Sequence, residues 1–187
     1  MNLPNVISLA RILIIPFFVM LLVYGHAGWA LAVFVVTAIT DVVDGYLARS
    51  WMQRTPLGAT LDPLADKLLL TTAFVTLAYL RILPVWLAIL VVSRDVIIVF
   101  GSLLLHLTTG SLRIIPTKMG KVTTTVQVMV VSFGLLVNLT GWGVVELWTF
   151  VVVGAGFTAL SGFQYIYRGM TGAHQGDGAL EGPGDAG

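Results

Sequence analysis

Apolar residues run through this chain in six long blocks, separated by short stretches that are polar or carry glycine. A membrane-spanning helix needs about 20 mostly apolar residues, and blocks of that kind are read at 6–24, 28–48, 63–80, 84–106, 121–139 and 145–167. Pro4 and Asn5 open the first block, in keeping with helix-start chemistry. Tyr24-Gly25-His26-Ala27-Gly28, Arg81 to Pro84 and Asn138 to Gly143 read as short turns, which leaves two polar connections at 49–62 and 107–120. No internal repeat of fixed period stands out. The pattern predicts an all-α integral membrane protein with six transmembrane helices over residues 1–168. Residues 169–187 are rich in Gly and poor in apolar groups, so they are expected to form a disordered tail.

Composition sharpens this picture. Of 187 residues, 57% are hydrophobic and 10% charged, with a mean hydropathy of +0.95. A soluble domain carries about a quarter charged residues, so this inventory does not supply a water-facing surface. The net charge of +1 comes without a basic tract and gives no footing for nucleic acid. Cysteine is absent, which excludes disulfides, thiolate metal sites and Cys nucleophiles. His26, His106 and His174 are far apart and have no zinc-ligand spacing, so loop or interfacial positions are expected for them. The first block lacks a basic leader and is interrupted by Arg11, so it reads as a retained helix rather than a signal peptide.

Basic residues set the expected orientation. Arg49, Arg54, Lys67, Arg113, Lys118, Lys121 and Arg168 fall on one side of the six blocks and Arg81 on the other. The positive-inside tendency puts both termini and both polar connections in the cytosol. The expected location is therefore the cell membrane (the inner membrane of a bacterial-type cell), multi-pass.

Against this apolar background stand four aspartates within 26 residues: Asp41-x-x-Asp44-Gly45-x-x-Ala48-Arg49, then eight residues, then Gly58-x-x-x-Asp62-x-x-x-Asp66. An ionised carboxylate at bilayer depth is costly and is kept where it is paired or used. Arg49, Arg54 and Lys67 are too few and wrongly placed to neutralise four, so a hard divalent cation with oxygen ligands, Mg²⁺ above all, fits the need. Residues three or four apart share a helix face, so Asp41 pairs with Asp44 and Asp62 with Asp66. Two such pairs at the cytosolic ends of the second and third helices can hold one or two ions, an arrangement suited to in-line displacement at phosphorus. Gly45, Ala48 and Gly58 allow close approach of helices or ligand, and Arg49 offers a planar fork for phosphate oxygens. Other readings stay open at this point. Asp62-Pro63 resembles a helix cap followed by a first-position proline, and an acid array also serves a cation channel or transporter. A non-catalytic scaffold is a third reading, though buried acids are a cost without a return there.

The full string from Asp41 to Asp66 resembles the signature of the CDP-alcohol phosphatidyltransferase family at every fixed position. Leu3-Pro4-Asn5-x-x-Ser8-x-x-Arg11 is similar to the family's first-helix opening, with Ser8 where Thr is usual. Ser93-Arg94-Asp95 and Gly120-Lys121-Val122-Thr123-Thr124 extend the resemblance, which covers about residues 3–167. It implies a membrane enzyme of phospholipid biosynthesis that moves a phosphatidyl group from CDP-diacylglycerol to an alcohol and releases CMP. By position it implies that Asp41, Asp44 and Asp62 bind Mg²⁺ or Mn²⁺, and that Asp66 is the general base and a further metal ligand. It implies CDP-diacylglycerol contacts at Pro4, Asn5, Gly45, Ala48, Arg49, Thr55 and Gly58. It also implies a homodimer.

The acceptor is a glycerol-type alcohol on the same resemblance. Residues i and i+1 do not share a helix face, so Arg94 is expected to turn away from Asp95 and into the site; an ion pair with a motif aspartate is the alternative. Lys121, Lys118 and Arg113 are further candidates for an acceptor phosphate. Phosphatidylglycerophosphate synthases, which use sn-glycerol 3-phosphate, are similar in length and in the Gly120–Thr124 stretch, yet usually carry Glu where Asp95 stands, with a further Arg beyond. Cardiolipin synthases, whose acceptor is phosphatidylglycerol, resemble the chain in Ser93-Arg94-Asp95 and Asp62-Pro63-Leu64-Ala65-Asp66-Lys67. Glycerol 3-phosphate is the leading expectation, phosphatidylglycerol the second.

Overall fold

A computed structural model describes residues 3–50, 56–109 and 118–177, with side chains described for 10–40, 65–101 and 119–167. Among these residues the chain forms six α-helices and no strand: α1 Leu3–Val23, α2 Ala27–Ser50, α3 Pro56–Tyr79, α4 Val85–Thr109, α5 Lys118–Thr140 and α6 Val144–Asp177.

The three short turns form where they were expected, by local chemistry. Gly25 adopts φ +79°, its N–H bonds the Leu22 carbonyl, and the His26 N–H reaches back to Leu21. This Schellman closure needs a left-handed residue, a conformation glycine adopts without a Cβ penalty. Arg81 closes α3 the same way at φ 60°, bonding Ala78 while Ile82 bonds Leu77, and here a side-chain-bearing residue carries the strain.

Two boundaries differ from the sequence reading. α3 starts at Pro56, not at 63, so Asp62 is inside the helix and is not its cap. A proline at the first helical position loses no bond, because that N–H is an orphan anyway; Pro56 plays the part expected of Pro63. α6 runs on to Asp177, so 169–177, expected to be disordered, are helical, and the rest of that tail lies outside the described residues.

α1 packs on α2 and α3, α4 on α3 and α6, and α5 on α2, α3 and α6. Each helix sends a fully enclosed side chain to the common core: Phe18, Phe34, Phe74, Leu87, Val130 and Val151. The Phe18 and Phe34 rings lie 5.8 Å apart, tilted by 36°, which joins α1 to α2. The outer surface is apolar as well, with Leu13, Val36, Ile89, Phe100, Val152 and Phe163 exposed. Helices apolar on all sides are a membrane signature in a chain this small. Met119–Thr140 and Val144–Tyr167 are each long and apolar enough to cross a bilayer, and Ala10–Val23 and Ala27–Thr40 form shorter apolar stretches. Buried hydroxyls are satisfied within their own helices: Thr37 donates to the Val33 carbonyl, Thr123 to Met119 and Thr158 to Gly154.

Candidate active site

The acidic motif is carried by the end of α2 and the beginning of α3. Asp44 and Asp41 lie six and nine residues before Ser50, and Asp62 and Asp66 lie six and ten residues after Pro56. At 1.5 Å rise per residue each pair sits about 9–15 Å in from its helix end. The two pairs thus enter the bundle to matching depth from the same side, with α1 and α5 each packed against both helices. Gly45, Ala48 and Arg49 occupy the last turns of α2, Gly58 the first turn of α3, Pro4 and Asn5 the first turn of α1, and Lys118 the first residue of α5. The side chains of these residues, and those of Asp41, Asp44 and Asp62, fall outside the described set, as do Thr55 and Arg113 altogether.

Asp66 is described in full. Its carboxylate pairs with the Arg11 guanidinium of α1, which is 4% exposed, whereas the Asp66 side chain keeps 31% of its surface open. The next residue, Lys67, reaches the opposite way, and its Nζ lies 3.1 Å from Asp95 Oδ1 on α4. The same oxygen accepts from Arg94 Nη1 at 2.7 Å, and Arg94 Nη2 donates to Ser161 Oγ of α6 at 2.9 Å. A chain of polar contacts, Lys67–Asp95–Arg94–Ser161, therefore ties α3, α4 and α6 together beside the acidic motif. Arg94 Nε and Gln164 Oε1 are buried without a hydrogen-bond partner among the described residues.

This corrects the expectation that Arg94 turns away from Asp95. Adjacent residues on a helix point apart, but the arginine side chain is long enough to fold back onto the Asp95 carboxylate while its other nitrogen meets α6. Lys121 is exposed in the first turn of α5. Arg11 is the residue the sequence reading undervalued. It is the first charge in the chain, thirty residues ahead of Asp41, and an isolated arginine in an apolar helix demands a carboxylate partner.

Comparison with known proteins follows the same lines. The family model for CDP-alcohol phosphatidyltransferase matches residues 1–158. The chain belongs to the CDP-alcohol phosphatidyltransferase family. This is a membrane-bound family whose enzymes use divalent metal ions. The chain is 32% identical to a human CMP-forming cardiolipin synthase across 90% of its own length and 62% of the human protein's. It is 34% identical to a CDP-diacylglycerol–glycerol-3-phosphate 3-phosphatidyltransferase of Bacillus subtilis, covering 89% of this chain and 94% of that one. A probable phosphatidylglycerophosphate synthase of Mycobacterium tuberculosis is 35% identical over 90% of this chain and 82% of that one. The chain spans 62% and 50% of the human and rat cardiolipin synthases it matches.

The donor set suits the family's metal. Four carboxylates at i,i+3 and i,i+4 helical spacing offer the hard oxygen ligands that Mg²⁺ and Mn²⁺ take. Among the described side chains alone no three such ligands converge, since only Asp66 of the four belongs to that set.

Proposed function

We propose that the protein transfers a phosphatidyl group from CDP-diacylglycerol to the hydroxyl of a glycerol-type acceptor and releases CMP. The observation that carries this is the complete acidic signature set at matching depth on α2 and α3 in a chain of this family. Asp41, Asp44, Asp62 and Asp66 hold one or two Mg²⁺ or Mn²⁺ ions, which supply Lewis-acid neutralisation of the diphosphate and of the departing CMP. Arg49 takes a phosphate oxygen in its planar fork, while Gly45, Ala48 and Gly58 leave room for the diphosphate. Pro4, Asn5 and Thr55 are the further nucleotide contacts. Asp66 accepts the proton of the acceptor hydroxyl as its oxygen bonds to the phosphatidyl phosphorus and the bond to the CMP oxygen breaks. Its partly open carboxylate supports that role.

The acceptor read first is sn-glycerol 3-phosphate, because the match to the Bacillus enzyme runs through 94% of that protein. Lys121, Lys118 and Arg113 are the cations assigned to its phosphate. Phosphatidylglycerol is the second reading, favoured by the match to the human cardiolipin synthase. Arg94, already engaged by Asp95 and Ser161, contributes through the order of α4 and α6 and is a weaker acceptor ligand than Lys121.

All six helices span the membrane in this reading, with both termini and the acidic motif on the cytosolic side of the cell membrane. Interfacial aromatics support it. Tyr24, Trp29, Tyr79, Trp86, Trp142 and Trp148 are all exposed and all lie within five residues of the three short turns. That is a belt of the kind found at a membrane–water boundary, at the end of the bundle opposite the motif. Acyl chains then stay in the bilayer while the headgroup reaches the acids. A homodimer is carried by family resemblance alone.

The test is an acceptor panel. Purified protein with labelled CDP-diacylglycerol and Mg²⁺ receives glycerol 3-phosphate, phosphatidylglycerol, inositol phosphate or serine in turn. The expected result is CMP release with glycerol 3-phosphate that stops on chelation. Release with none of the four, or ion flux in liposomes without liponucleotide, would overturn the assignment.

A further inference from the structure

The turn of α3 that bears Asp66 is gripped from two sides. Asp66 faces α1 and meets Arg11; Lys67 faces α4 and meets Asp95, which Arg94 links onward to Ser161 of α6. Arg11 is 4% exposed and lies two turns along α1 from Pro4 and Asn5. Burying a guanidinium there is costly unless a carboxylate meets it, and the carboxylate it meets belongs to the motif. A carboxylate on its own turns freely about its terminal torsion, which is broad and shallow. A guanidinium bonded to one oxygen removes that freedom through a planar donor set.

From this we infer that Arg11 is a positioning residue: it fixes the orientation of the Asp66 carboxylate toward the acceptor hydroxyl, with the Lys67–Asp95 contact holding the same helical turn from the far side. The inference rests on the assignment of Asp66 as base. It concerns orientation, the feature that activated nucleophile–base pairs share when a third group aims the base. A misplacement of about 1 Å at a reacting group costs on the order of 10²-fold, which sets the scale of the effect.

The experiment compares the full-length chain with Arg11→Gln, Arg11→Lys and Asp66→Asn. It measures CMP release against acceptor, CDP-diacylglycerol and Mg²⁺ concentrations, together with equilibrium binding of CDP-diacylglycerol. Arg11→Gln is expected to lower kcat by about 10- to 100-fold, with KM for both substrates and liponucleotide binding held within about threefold. Arg11→Lys restores part of kcat, since an ammonium supplies the charge without the fork. Should Arg11→Gln fail to fold, Arg11→Lys carries the test with the same split between kcat and KM. A loss confined to KM for CDP-diacylglycerol would make Arg11 a ligand contact and overturn the inference. So would a loss that saturating Mg²⁺ repairs, which would mean an effect on metal affinity. Wild-type turnover in Arg11→Gln beside a dead Asp66→Asn removes the inference alone, whereas full turnover in Asp66→Asn removes the base assignment and the inference with it.

Discussion

Val130 and Val126 of α5 crowd Gly154 of α6, so replacing this glycine carries a cost that can be worked out. A Cβ built at Gly154 would stand 2.9 Å from Val130 Cγ2 and 3.9 Å from Val126 Cγ1. Val130 is fully enclosed, and a valine in a helix has one strongly preferred rotamer, so the methyl it offers does not swing away. Forcing one extra carbon into such a contact costs about 1–3 kcal/mol. Gly156, two residues on, has open space where a Cβ would stand, with nothing within 4 Å. Both substitutions to alanine gain the same helix propensity, about 1 kcal/mol, so the comparison cancels it. Gly154→Ala should therefore be less stable than Gly156→Ala by roughly 1–3 kcal/mol. The assay is denaturant unfolding of each purified variant in detergent, followed by tryptophan fluorescence. Val130→Ala is the control for cause: combined with Gly154→Ala it should show a favourable coupling of about 0.5–3 kcal/mol in a double-mutant cycle. Equal midpoints for the two alanine variants would refute the reasoning, and so would strict additivity with Val130→Ala.

Asp66→Asn should slow CMP release by about 10²–10⁴-fold, equivalent to ~3–5 kcal/mol of barrier, while the protein still binds CDP-diacylglycerol in an equilibrium assay. Asp95→Ala leaves the buried Arg94 guanidinium without its carboxylate and should cost roughly 3–5 kcal/mol. Lys67 is itself 33% exposed, so Lys67→Ala should cost about 1 kcal/mol or less, and unfolding in detergent separates the two. Arg81→Gly relieves a side-chain-bearing residue at φ 60° and should raise stability by about 1 kcal/mol, read as an increase in unfolding midpoint.

Much of the bundle could be read from the chain because apolar runs of spanning length leave little choice of element. The turns at Gly25 and Gly141 were equally legible, since glycine between two apolar blocks marks a left-handed closure. The start of α3 was not. Asp62-Pro63 has the local chemistry of a helix start, and Pro56 has it too, so composition alone did not rank the earlier site above the later one. The extension of α6 past residue 168 was hidden for a related reason, because loss of apolar character marks the end of a core and not always the end of a helix. At the site, the spacing of the four acids was visible, whereas their counterions were not. The Arg11–Asp66 pair joins residues 55 apart, and nothing local in either segment announces the other. Arg94 shows the limit of face-counting: the rule describes Cβ directions, and the guanidinium lies too far from its Cβ to be bound by it.

The three tight closures at Gly25, Arg81 and Gly141–Gly143 also bear on biogenesis. Each joins consecutive helices into an antiparallel hairpin with only a few residues at its tip, and together those tips carry a single Lys or Arg, Arg81. In the proposed orientation, these tips are all that has to be translocated; the acidic motif and the other cations stay on the side of synthesis. The chain can then enter the bilayer as three successive helical pairs. On the same reading, the motif acids meet when the first pair docks on the second, without ever having crossed the hydrocarbon.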